Sequence, residues 1–549
     1  MAGPVLGANA YRVGAAAILV LAALLRFWAL DSGLPNIRTR PDETEVINST
    51  LGPARGDFDV DWVVYPSAYV YACWIWGEVG IRTGQALGVV PVGAYSAVLR
   101  RSPAHVYLIQ RVFSAAAGVA AVWLLMILAR RGLGRAPALA SGLLLATCFL
   151  HVRDSHAAKP DVLLSLAVLV ALLSMLPLAR RASLGRGILA GVGVGFAMAV
   201  KYPGVVLLVP AYAAAVMGSQ ARGWRRWLPA PALAAGAAAA LVFVATSPYL
   251  VLNRESIAML RRTLGFVFPN LFLESIAEEQ AQALPLLEGP EPSEYGSTRW
   301  WGTLLYHARF SLWYGIGVLP TLLAPFAVAW GFASRRVACV LAATFAVAYY
   351  LMVGVSPAMM ARYMTPLVPA LFLLEAGMLF DAAGRYARSR ALLALGLVML
   401  VLVAEPLASA IAHNRIAART DTRVLATRWL SENLPSGTRL GVHGARFWIW
   451  GTPMVPRGVR IVQADQGAAA LAEAGVSHVM THDHELFWST VDPELLESLS
   501  PRLELLAEFT PFGEEARPVF ETADAFYIPF HAFSGVQRPG PTVRIYAFD

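Results

Sequence analysis

The chain has 549 residues, 57% of them hydrophobic and 15% charged, against roughly 25% charged in an ordinary soluble domain. Several stretches exceed the ~20 apolar residues that span a bilayer, so the composition excludes a soluble globular protein and predicts a polytopic membrane protein. The net charge of +8 does not point to nucleic acid. Its basic residues gather in short loops between apolar runs (130–135, 180–186, 222–226, 335–336 and 385–390), the positive-inside pattern that places those loops in the cytoplasm.

The first expected span covers 13–30. Arg12 followed by an apolar run resembles a signal peptide, but the spans that follow make it a retained first helix. The chain then enters an outer segment, 31–104, headed by Ile37-Arg38-Thr39-Arg40-Pro41-Asp42-Glu43. Adjacent carboxylates at a membrane exit suggest chemistry at the bilayer surface rather than transport through it. Asp42 is the candidate general base, taking a proton from an acceptor hydroxyl or amine. A plainer reading stands beside it. Proline is a good first helix residue and carboxylates suit the first turn, so Asp42, Glu43 and Glu45 would simply start a helix. The aromatic stretch Trp62 to Trp76 predicts helices lying on or dipping into the outer surface.

Later spans are expected at 106–129, 136–150, 162–179, 187–200, 203–218, 229–246, 316–333, 337–353, 364–380 and 391–411, about 11 in all. An outer loop, 247–303, carries an amphipathic stretch, Ser256 to Phe268, and re-enters the membrane surface at Trp300-Trp301. From about 412, charges interleave with short apolar runs. A helix over Asp421 to Leu434, strands at Arg439 to Val442 and Ser477 to Thr481, a helix at Ala468 to Ala474 and a last strand at Thr542 to Phe548 predict a small α/β domain, 412–549. An odd number of spans puts it outside the cytoplasm. Cys73, Cys148 and Cys339 lie in apolar segments without metal-ligand spacing and read as packing residues.

Three groups of residues could carry chemistry. The acidic pair is the first. The second is His151-Val152-Arg153-Asp154-Ser155-His156-Ala157-Ala158-Lys159-Pro160-Asp161, between two spans on the same expected side, with six chargeable residues in eleven. His151 and His156 could ligate a metal with Asp154, although the spacing fits no specific motif and no cofactor is indicated. Asp161 behind Pro160 again fits a helix start. The third group is cationic: Arg111 early in the second span, Lys201 with Tyr202 between two short spans, and Arg362 with Tyr363. Ionisable groups at membrane depth are costly and tend to be functional, and cations grip phosphate through charge-assisted hydrogen bonds. Snorkelling to lipid phosphate is the ordinary alternative for each. Lys159 and Lys201 are the two lysines among 44 basic residues. Glu375, within an expected span, is given no role.

The order of these motifs resembles the bacterial family 39 glycosyltransferases, relatives of the protein O-mannosyltransferases and of the lipid A aminoarabinose transferases. The resemblance rests on the acidic pair, the aromatic outer loop, Arg111-Val112-Phe113-Ser114, His156 to Asp161, Gly195-Phe196-Ala197-Met198-Ala199-Val200-Lys201-Tyr202 and Arg362-Tyr363, and spans about 1–430. It implies the membrane GT-C fold, a catalytic domain over 1–411, a polyprenyl-phosphate sugar donor and an inverting single displacement at the exterior or periplasmic face of the plasma membrane. By motif match, Asp42 would be the base, Glu43 its neighbour and Asp161 a second acidic residue. Arg111 would meet the donor phosphate, and Lys201 and Arg362 would line the cavity. Asp154, His156, Lys159, Tyr202 and Tyr363 complete the expected substrate-binding set. The chain departs from aminoarabinose transferases at Val64-Tyr65-Pro66-Ser67, which lacks their lysine. A lipid transporter or flippase, and a non-catalytic scaffold, are the competing classes. The sugar and the acceptor are not legible.

Overall fold

The computed structural model describes residues 6–40, 42–60, 64–253, 255, 257–258, 300–356, 359–384, 388–442, 448–464, 467–486, 493–521, 524 and 526–549. The expected amphipathic stretch after Ser256, most of the outer loop, Pro41 and Trp62 lie outside the described residues. Two compact units make up the chain. The first contains 1–27, 46–90 and 109–410, and the second 28–45, 91–108 and 411–549.

The first unit is helical. Its opening helices are α1 (Ala8–Phe27), α2 (Glu43–Ser49, begun in the second unit), α3 (Ser67–Ala86), α4 (Tyr95–Arg101, in the second unit) and α5 (Pro103–Leu133). Then come α6 (Arg135–Thr147), α7 (Phe149–Asp154), α8 (Pro160–Arg180), α9 (Leu184–Val200), α10 (Leu208–Gly218) and α11 (Ala230–Thr246). Six described stretches are long and apolar enough to cross a membrane: Ala8–Phe27, Pro103–Leu133, Pro160–Arg180, Gly223–Thr246, Val337–Gly354 and Leu393–Asn433. Leu184–Val200, Tyr202–Gly218 and Val318–Ala333 are shorter apolar helices. The chain is a polytopic helical membrane protein. α3 is 20 residues long yet is not among the six, and the first span ends at Phe27 rather than at residue 30.

α9 and α11 pack through a ladder of small residues. Gly187, Gly191 and Gly195 recur one helical turn apart on α9. An added Cβ would stand 2.2 Å from the Pro231 carbonyl oxygen at Gly187 and 2.2 Å from that of Ala235 at Gly191. At Gly195 the Ala239 carbonyl oxygen would be 2.8 Å away. The buried residues of α11 are Ala235 and Ala239. Lipid offers no hydrophobic drive to join two helices, so close backbone approach supplies the attraction instead.

The second unit holds a five-stranded sheet in the order β2-β1-β3-β5-β4: β1 (Arg439–Val442), β2 (Arg460–Gln463), β3 (His478–Asp483), β4 (Leu503–Phe509) and β5 (Thr542–Phe548). β1 runs parallel to β2 and β3, while β5 is antiparallel to β3 and β4. Side-chain alternation feeds two cores. Met480, Val543 and Ile545 meet Ala426 and Leu430 of the helix Thr422–Asn433 on one side. Val479 and Phe548 meet Leu471 and Leu499 on the other. Asp421 caps that helix by accepting from the Arg423 amide, and it holds the Arg423 side chain at 2.6 and 2.8 Å. The expected α/β domain therefore has helices on both faces of its sheet.

His484 is buried among the rings of Phe512, Phe520 and Tyr527, and burial followed by the nearby Arg423 pushes its pKa down to about 3. An unfolded histidine titrates near 6.5. Between those values the unfolded chain binds the extra proton, so this unit is expected to lose stability as pH falls from about 6.5 towards about 3. Melting temperatures of the native protein and His484→Leu across that range test it, the variant showing the flatter dependence. At the helix contact, Gly191→Leu is expected to cost at least about 1–3 kcal/mol by overpacking, read as a lower melting temperature in detergent. Gly236→Leu, at a position with open space, serves as the control.

Candidate functional site

The first unit concentrates its charge where α8 begins and α9 ends. Pro160 opens α8 with Asp161 in its first turn, as the sequence suggests. At the end of α9 the chain turns back tightly, and a Cβ on Gly204 would stand 2.4 Å from the Ala197 carbonyl carbon. That close return presents Lys201 from an extended residue (φ −158°, ψ 137°) between α9 and a short 3-10 turn, Tyr202–Leu207. Its Nζ donates to Asp161 Oδ1 at 2.6 Å, with the two side chains 10% and 2% exposed. The ammonium also lies 4.6 Å from the Tyr363 ring centre and 5.7 Å from that of Tyr65, within cation–π range. The second carboxylate oxygen, Asp161 Oδ2, is buried and has no hydrogen-bond partner among the described residues. It is an open acceptor.

A second knot lies beside the first. Arg153 Nη1 holds Asp154 Oδ1 at 2.9 Å, and the Thr365 hydroxyl donates to the other oxygen of Asp154. The Thr365 carbonyl accepts from Ser165 at 3.0 Å, one turn beyond Asp161 on α8. The segment 361–365 thus fastens both acidic positions. Within it Arg362 is buried, its guanidinium 5.8 Å from the Tyr363 ring, and the Tyr363 carbonyl accepts from the Tyr349 hydroxyl at 2.9 Å.

Arg26 escaped the sequence reading. Fully buried at the end of α1, it donates to the carbonyls of Leu145 (2.9 Å) and Ala146 (3.0 Å) at the end of α6 and to His151 Nδ1 at 3.1 Å. A guanidinium only donates, so His151 accepts there and carries its proton on Nε2. His156 donates from Nδ1 to the Val152 carbonyl at 2.8 Å. His151, His156 and Asp154, considered as a metal set from the sequence, are not brought together as one: no group of three or more His, Cys, Asp or Glu that could hold a metal occurs among the described residues.

The other candidates fall as follows. Arg111 is fully buried in α5. Its neighbours tie that helix to α3: Gln110 donates to the Cys73 carbonyl at 2.7 Å, and Trp76 to the Ile109 carbonyl at 2.8 Å. Lys159 is buried at the N-cap of α8. Tyr202 packs edge-on against Phe243 at 6.3 Å. Asp42 and Glu43 belong to the second unit. The first-turn reading is corrected for Asp42: α2 starts at Glu43, and Asp42 precedes it in the left-handed region, φ 64°. Glu43 is fully buried, while Asp42 is half-buried and Glu45 exposed. Thr44 Oγ1 donates to the Ile37 carbonyl at 3.3 Å and accepts from Tyr107 at 3.1 Å.

Tyr65, Arg153, Ser165 and Thr365 were not singled out as site residues. Only the aromatic outer stretch and the density of the 151–161 cluster pointed towards them. The ion pair makes a prediction of its own. Lys201→Met strands a buried carboxylate and is expected to cost about 3–5 kcal/mol, whereas Asp161→Asn with Lys201→Met together should recover much of it. A double-mutant cycle on melting temperature measures the difference.

Comparison with known proteins bears on the family and the fold. Residues 106–251, which include Arg111, the 151–161 cluster and Lys201, match the family model described as dolichyl-phosphate-mannose-protein mannosyltransferase. The crystal structure of ArnT from Cupriavidus metallidurans bound to undecaprenyl phosphate is 15% identical at a TM-score of 0.50, covering 98% of both chains. The Archaeoglobus fulgidus oligosaccharyltransferase tethered to an acceptor peptide is 14% identical at a TM-score of 0.51, over 85% of this chain and 69% of that one. No curated protein sequence matches. The chain is thus a polytopic membrane protein of the GT-C fold with a C-terminal sheet domain, and its residues 106–251 are similar to the mannosyltransferase family model.

Proposed function

We propose that the protein is a glycosyltransferase that moves a sugar from a polyprenyl-phosphate donor to an acceptor outside the cytoplasm, a glycan, lipid or protein. The observation that carries the proposal is the backbone of Asp42. A non-glycine residue at φ 64° directly ahead of a helix is a strained placement, and such outliers gather at active sites. It separates the two carboxylates by environment: Glu43 is sealed in the fold, whereas Asp42 keeps access to solvent. The relatives support the donor class. The matching family model names dolichyl-phosphate mannose, and undecaprenyl phosphate is bound in the ArnT structure of the same fold.

In this reading Asp42 takes the proton of the acceptor hydroxyl or amine as that atom attacks the anomeric carbon. The bond from that carbon to the phosphate oxygen breaks with inversion, and the polyprenyl phosphate leaves with one more negative charge. Arg111, Arg362 and Lys201 stabilise that charge, the step where fixed cations in a dry site contribute most. Asp161, held by Lys201 through one oxygen, offers the other to a hydroxyl of the sugar. Asp154, His156, Lys159, Tyr202 and Tyr363 complete the donor-binding region, and both this region and the C-terminal domain face the exterior or periplasm. The Val64-Tyr65-Pro66-Ser67 stretch lacks the lysine that aminoarabinose transferases carry next to prolines in this loop, so their sugar specificity is not assigned.

Asp42→Asn is expected to lower transfer by about 10²–10⁴-fold, the usual contribution of a general base, with an unchanged melting temperature. The assay supplies a polyprenyl-phosphate sugar to the protein in proteoliposomes. Full transfer by this variant would overturn the role of Asp42. Mass spectrometry of lipids copurifying with the protein tests the donor class: a polyprenyl-phosphate sugar supports it, and its absence after gentle extraction counts against it.

A further inference from the structure

The segment that carries Asp42, 28–45, belongs to the same compact unit as residues 411–549, not to the unit of the membrane helices. One contact within that unit shows how it is held. Arg40, two residues before Asp42, is buried, and its guanidinium carbon lies 5.8 Å from the centre of the Phe526 ring. Phe526 sits in a loop that also buries Glu521 and Asp524, a complement in sign to the basic Arg38-Thr39-Arg40 run. That loop is fixed to the sheet domain. Val519 and His531 exchange amide hydrogen bonds at 3.0 and 3.1 Å, and the Gly540 amide donates to the Tyr527 carbonyl at 3.1 Å. The Tyr527 ring lies 4.5 Å beneath Arg423, the residue paired with the helix cap Asp421.

The contacts therefore link the sheet domain, through Tyr527 and Phe526, to Arg40, which stands two positions before the left-handed Asp42. We infer that Arg40 and Phe526 are positioning residues through which the C-terminal domain sets the backbone at Asp42. A residue at φ 64° persists only where its surroundings over-determine it. α2 begins immediately after Asp42, and Arg40, two positions before it, carries the contact to Phe526. The role of Asp42 as base is taken from the proposed function, but the restraint on its backbone is a separate claim with its own readout.

The experiment uses the full-length protein in lipid nanodiscs, with Phe526→Leu, Phe526→Tyr and Arg40→Met. Hydrogen–deuterium exchange of peptides covering 37–45 is the primary measurement. Phe526→Leu, which keeps the apolar bulk, is expected to speed exchange there about tenfold and to leave α8 unchanged. Phe526→Tyr restores protection, and Arg40→Met reproduces the effect from the other partner. In the transfer assay with a polyprenyl-phosphate sugar, Phe526→Leu should lower kcat about three- to tenfold, the scale of a partly buried cation–π contact, with the donor KM unchanged. Native exchange at 37–45 in both Phe526→Leu and Arg40→Met overturns the inference, as does loss of protection in Phe526→Tyr equal to that in Phe526→Leu. If Asp42→Asn keeps full transfer, the functional reading fails while the exchange data still decide this one.

Discussion

An ammonium withdrawn from water where two membrane helices meet must find a counter-charge within hydrogen-bond reach, or leave. Lys201 finds Asp161 at 2.6 Å, and much of the first unit follows from that pairing. It fixes the end of α9 to the start of α8. It draws in the ring faces of Tyr65 and of Tyr363 in the 361–365 turn. Thr365 then joins that turn to Asp154, and Ser165 joins it back to α8. A neutral amide pair could brace the same helices. It would not leave a carboxylate oxygen open beside a cation.

Much of the architecture was legible because it is written in local patterns. The β1 and β5 ranges were readable from alternation between turn residues, and Asp421 announced the helix it caps. The dense 151–161 cluster was readable as a site because charge is costly between apolar spans. What escaped were relations between distant residues. Lys201 and Asp161 stand 40 residues apart, and nothing in either motif says that each neutralises the other. Arg26 drew no notice inside the first expected span, since the carbonyls of Leu145 and Ala146 that it binds lie about 120 residues downstream. The spacing of Gly187, Gly191 and Gly195 carried no packing signal, because it matters only when α11 is laid against them. Asp42 was placed one residue too far into its helix, as Pro-Asp commonly opens one; a φ of 64° has no sequence signature beyond aspartate's tolerance of it.

The grouping of 28–45 with the C-terminal residues changes how the sheet domain is regarded. It shares a compact unit with the segment bearing the acidic pair. Its own stability therefore bears on that segment, including the titration of His484 among its three aromatic rings.

The burial of Arg26 also has a consequence for biosynthesis. Its described partners are the carbonyls of Ala22, Leu145 and Ala146 and the ring of His151, so most of them are synthesised more than a hundred residues after the first helix has entered the bilayer. During that interval the guanidinium must stay with water and lipid headgroups, the less costly home for an unpaired charge. The first helix is therefore inserted early but docked late, after α6 arrives with its carbonyl end. Gly118 leaves the room that the docked Arg26 fills: an added Cβ there would lie 2.9 Å from Arg26 Nε and 2.6 Å from Ser155 Oγ. A side chain at 118 would act on the assembly of the bundle, not only on its finished stability.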